Sequence, residues 1–111
     1  MNQAASEALN LASAAGISPE LAFETLEASA ACAPMLKYRR NHYLDEQSQP
    51  VTFTVSLAQK DVLLATQLAL ALDVRMPRAQ LNLEVLRQAD QDGFGERDMA
   101  SIINYLGKGK L

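Results

Sequence analysis

PVTFTVSLAQKDVLLATQLALALDV, residues 50–74, reads as an extended lead-in followed by a long helix in which, from Val62 to Leu72, only Thr66 and Gln67 interrupt apolar residues. A helix with no wet face is a buried one, so this segment is expected to be the central helix of the domain. Ser56 and Gln59 stand at capping-box spacing: the hydroxyl accepts from the backbone N–H three residues on, while the amide reaches back to the cap. The helix is therefore expected to begin at Leu57. Lys60 and Asp61 then fall one turn inside its start, where the helix dipole favours the aspartate and disfavours the lysine. A lysine so placed points to something outside the helix that takes up the ammonium.

Working outward, the rest of the 111 residues is rich in alanine and leucine and poor in glycine and proline, and no Asn-Gly or Asp-Gly pair joins alternating apolar runs as a hairpin would require. The expected fold is all-α, a compact bundle of about five to six helices around a buried central helix at about residues 57–73, in a single domain spanning 1–111. Upstream, Ala5, Ala8, Leu9, Ala12 and Ala15 share one helical face, and Gly16 sits where a left-handed residue ends a helix. Ser18-Pro19-Glu20 is a start signal for a second helix to about Ala28, with Ala22, Leu26 and Phe23 or Leu21 facing inward. Pro34 opens a short helix toward Arg40, and the polar segment Asn41 to Pro50 reads as loop. Downstream, Pro77 opens a helix with Leu81, Val85, Leu86 and Ala89 inward. Gln91 to Gly95 breaks it, Asp98 caps a last helix from Met99 to Leu106, and residues 107–111 are expected to fray.

Net charge −3 and a pI near 5.0 argue against a nucleic-acid partner, because Lys37, Arg39 and Arg40 form the one basic cluster. Cys32 alone excludes an intrachain disulfide and suits a reducing compartment, with cytoplasm the default; no apolar run is long enough to span a membrane. Cys32 has no basic neighbour and reads as a packed small side chain, and His42 as a solvated surface residue. Aligning Gly93 with a calcium loop puts Gln88 and Met99 at the first and last ligand positions, so calcium is rejected and no metal is expected.

Four pieces of the chain, in order, resemble one family. Phe53 followed by Lys60-Asp61-Val62-Leu63-Leu64-Ala65 looks like the F-x(6)-K-D-L-x-L-A segment of the β-hydroxyacid dehydrogenases, whose members include 3-hydroxyisobutyrate dehydrogenase and tartronate semialdehyde reductase. Ser6 to Ala12 with Ala15-Gly16-Ile17 resembles the family's A-E-A-L-x-L-A-x-x-x-G turn. Val74 to Pro77 resembles its G-V-P-L-P linker, and Gly93 to Asp98 its G-x-G-x-x-D segment. The resemblance covers nearly the whole chain and corresponds to the C-terminal helical domain of such enzymes, of the 6-phosphogluconate dehydrogenase C-terminal-domain-like type. The dinucleotide-binding domain, and the G-x-x-x-K segment that carries the catalytic lysine, have no counterpart here, so this piece by itself is expected to be inactive.

The resemblance implies an NAD- or NADP-dependent enzyme acting on a small hydroxyacid or semialdehyde, with a helical domain that closes the cleft and mediates homo-oligomerisation. It implies that Lys60 reaches the cofactor, where the residue type alone suggests a lysine exposed on early helical turns. It places Phe53 in the wall of the substrate pocket, a role compatible with ordinary core packing. Asp61 is implied to line and support the active site, its other reading being an acid favoured by the helix dipole. Two alternatives remain open: a stand-alone helical interaction module, and a 6-phosphogluconate dehydrogenase-like domain whose phosphate would be held by Arg39, Arg40 and His42.

Overall fold

Seven α-helices form among the described residues, 1–107, of this computed structural model, and the all-α expectation holds. The start and stop signals act largely where the residues place them. Helix α1 (Asn2–Ala14) ends in a Schellman turn: Gly16 takes φ 88°, its N–H bonds the Ser13 carbonyl, and Ile17 N–H bonds that of Ala12, both at 3.0 Å. Helix α2 (Pro19–Glu27) begins with the Ser18 hydroxyl accepting from Leu21 N–H at 3.2 Å. Pro34 opens α3 (Pro34–Tyr38). The polar segment read as loop winds instead into α4 (Arg40–Leu44) and a 3₁₀ turn (Glu46–Ser48), which takes the helix count above the five to six expected. Of the tail expected to fray, residues 108–111 lie outside the described residues.

The described chain divides into two compact units, one of residues 1–50 with 100–107, the other of residues 51–99. In the first, α1 to α4 and α7 (Ile102–Leu106) gather around Ala5, Leu9, Phe23, Leu36, Tyr43 and Ala100. Phe23 is fully buried and faces the Tyr43 ring at 5.9 Å. Each large apolar side chain so enclosed contributes about 1.5–3 kcal/mol. Small residues on α1 leave room for polar partners inside: Tyr43 Oη donates to Asn2 Oδ1 at 2.6 Å, Ser6 Oγ to the Asn2 carbonyl at 2.8 Å. Leu21, one of the two candidates for the inner face of α2, is exposed, and Cys32 packs against this core as expected.

The second unit is a helical hairpin of α5 (Val55–Ala71) and α6 (Pro77–Ala89), closed by an irregular turn over Asp90–Phe94 in which Gly93 takes φ 97°. The α6 face turned inward is Leu83, Leu86 and Ala89, so the expected Leu81 points out. Two expectations for α5 need correction. Its cap is Thr54, whose Oγ1 accepts from Leu57 N–H at 3.1 Å, and the helix starts two residues earlier than Ser56 implied. Nor is α5 a buried axis in this chain: Val55 and Ala69 are buried, whereas Leu57, Leu64, Leu68 and Leu72 are 47, 54, 61 and 64% exposed. The physical reason is that its neighbours within the unit, α6 and the Asp90–Phe94 turn, cover one side of a cylinder that is apolar on several.

Candidate functional site

The sequence-predicted site residues Phe53, Lys60 and Asp61 all belong to the second unit, around the start of α5. Residues 52–56 run antiparallel beside 95–99, with Thr54 opposite Asp98. Arg97 and Gly95 carbonyls accept the N–H groups of Val55 and Ser56, each at 2.9 Å. Together with the Thr54 hydroxyl on Leu57 N–H, these satisfy three donors that a helix start leaves without an internal partner. A side chain at Gly95 would meet the tips of the Asp90 and Ser56 side chains, which would have to move aside to admit it.

Phe53 is half-buried, and both of its backbone polar groups are tied down. Its carbonyl accepts from Met99 N–H at 2.7 Å, and its N–H donates to Asp98 Oδ2 at 3.4 Å. Asp98 is 1% exposed, and the same oxygen accepts the Thr52 N–H at 3.0 Å and the Thr52 hydroxyl at 3.3 Å. Asp98 was expected to cap a last helix from Met99, but Met99–Ser101 forms a 3₁₀ turn and the last α-helix begins at Ile102 behind Ser101; the Asp98 carboxylate reaches instead to the segment that presents Phe53. A polar Thr52 just before Phe53 was the available signal.

Lys60 and Asp61 are the sixth and seventh residues of α5, two residues deeper than expected. The dipole fades beyond the first turn, so it offers little support to the reading of Asp61 as a helix-start acid. Both side chains are exposed, and neither forms a hydrogen bond or ion pair with a described residue. Helical spacing sets Leu57 and Leu64 on either side of them, at three or four residues each way. A free ammonium and a free carboxylate thus stand within an exposed row of leucines.

The residues proposed for a phosphate-binding alternative are engaged elsewhere. Arg39 is buried, Arg40 pairs with Glu27 at 3.0 Å and lies over the Phe23 ring, and the His42 imidazole meets the Pro50 carbonyl at 2.9 Å. That histidine ties down a loop end, where the sequence suggested a freely solvated one. Among the described residues no three His, Cys, Asp or Glu side chains gather as metal ligands would, and no helix is long and apolar enough to cross a membrane.

The described residues thus form an all-helical domain that leaves Lys60 and Asp61 open on its longest helix. Residues 1–106 match the family described as NAD-binding of NADP-dependent 3-hydroxyisobutyrate dehydrogenase, and the chain belongs to that family. It is 32% identical to glyoxylate/succinic semialdehyde reductase 1 of Arabidopsis thaliana over 96% of its own length and 36% of the relative's. L-threonate dehydrogenase of Escherichia coli K12 is 29% identical over 93% of this chain and 34% of that protein. The crystal structure of a 3-hydroxyisobutyrate dehydrogenase from Salmonella typhimurium superposes with a TM-score of 0.84 at 29% identity, over 94% of this chain and 36% of that one. The chain therefore spans about a third of the length of the relatives it matches.

Proposed function

We propose that this chain is the cofactor- and substrate-side helical domain of an NAD(P)-dependent β-hydroxyacid dehydrogenase or semialdehyde reductase, closing the active-site cleft over the nicotinamide cofactor. The observation that carries it is the pairing of a family match across 1–106 with a Lys60 that has no partner of its own. An exposed ammonium on a rigid helix suits the phosphate and ribose oxygens of a dinucleotide, so the donor present fits that group. When bound, the cofactor would supply or accept the hydride, and the G-x-x-x-K lysine to which the resemblance assigns proton transfer has no match in residues 1–111. The work of the residues here is positional: Lys60 draws the cofactor to α5, while Phe53 and Asp61 wall the substrate pocket and exclude water from it.

The leucine row on α5 has a matching explanation. Leu57, Leu64, Leu68 and Leu72 form an apolar strip of the kind that marks a surface awaiting cover, here by the remainder of the enzyme or a second subunit. The same strip is the one observation in favour of a second reading, a helical interaction module without catalysis. Steady-state kinetics on the dehydrogenase carrying this domain separates the two. Lys60→Ala should raise the cofactor KM and Phe53→Ala the hydroxyacid KM, each by about tenfold or more. Unchanged constants in both variants would leave the interaction module as the better account.

A further inference from the structure

We infer that Asp98 is a positioning residue for the substrate pocket, acting through Phe53. The inference rests on the pocket-wall role proposed for Phe53 and extends it to a residue forty-five positions away in sequence. A phenylalanine at the mouth of a helix has a soft lead-in unless something fixes the backbone before it, because extended segments gain no internal hydrogen bonds. Here a single carboxylate oxygen, enclosed at 1% exposure, gathers the N–H of Thr52, the hydroxyl of Thr52 and the N–H of Phe53. Met99 N–H completes the clamp on the Phe53 carbonyl. The start of α5 has separate fastenings, the Thr54 hydroxyl and the carbonyls of Gly95 and Arg97. Losing the Asp98 contacts therefore loosens the backbone that leads into Phe53, leaving its carbonyl on Met99 and Lys60 on a helix that is still capped. A carboxylate is suited to this because charge-assisted bonds to N–H donors are stronger than neutral ones, and it accepts several at once.

The test is a double-mutant cycle in the dehydrogenase carrying this domain, using Asp98→Asn, Asp98→Ala, Phe53→Ala and the Asp98→Asn/Phe53→Ala pair. Asp98→Asn keeps the shape and an acceptor oxygen, so it reads the effect even where the alanine variant fails to fold. Asp98→Asn should raise the KM for the hydroxyacid by about threefold to tenfold, with the cofactor KM changed less than about twofold. In the pair, the Asp98 substitution should add nothing to the effect of Phe53→Ala, since the residue it positions is gone. Effects that multiply in the pair, or a substrate KM unmoved by Asp98→Asn, would overturn the inference while leaving the pocket-wall role standing. A Phe53→Ala enzyme with unaltered substrate KM would overturn both.

Discussion

Thr54 and Ser56 are hydroxyl residues two positions apart, and local spacing to Gln59 selects the wrong one as cap. What settles the start is the neighbouring segment 95–99, whose carbonyls take the Val55 and Ser56 N–H groups and so pull the helix two residues back. That contact is non-local and leaves no mark within a capping box. Gln59 Oε1, expected to reach back to the cap, is enclosed without a partner among the described residues. Thr54→Ala should accordingly cost the chain about 1 kcal/mol, read as a lowered unfolding midpoint, whereas Ser56→Ala should cost less than half of that. Gly16 was legible because φ 88° is a demand of the turn itself. Gly16→Ala has room for its Cβ yet should destabilise by about 1–2 kcal/mol through backbone strain alone, measured by urea unfolding.

For the elements, periodicity found every long helix, and Ala22 and Leu26 on the inner face of α2 were readable from a single stripe, which left Phe23 and Leu21 as alternatives that the structure decides for Phe23. Phe23→Ala should remove about 3–5 kcal/mol from the first unit, enough to unfold it at moderate temperature, as circular dichroism would show. Helix α5 was readable as a helix but not in its surroundings. An all-round apolar pattern says that a helix is to be covered, and is silent on what covers it. In this chain one side meets α6, and the leucines at 57, 64, 68 and 72 are open. Exposed leucines drive association, so the 111-residue chain should self-associate at micromolar concentration. Leu64→Gln with Leu68→Gln should shift its sedimentation toward the monomer without lowering helicity. Self-association unaffected by both changes would place the sticky surface elsewhere.

For the whole molecule, the family emerged from four short segments whose order matched, and the match over residues 1–106 agrees with them. The residues proposed to act were only partly legible. Lys60 and Asp61 announce themselves as charges in an apolar helix, and the structure leaves them open, bracketed by Leu57 and Leu64. Asp98 did not announce itself, because an acid before a last helix already has an ordinary use. The chain spans about a third of the length of its relatives, and the proposed role of Lys60 is therefore one to test in a dehydrogenase carrying this domain.

The measurement that bears most directly on that partnership is the equilibrium dissociation constant for the reduced nicotinamide cofactor, followed by its fluorescence, in the dehydrogenase carrying this domain. Lys60→Ala should weaken binding about tenfold, the loss of one charge-assisted contact, with Lys60→Arg recovering part of it. A dissociation constant unchanged by Lys60→Ala would contradict the assignment of Lys60 to the cofactor.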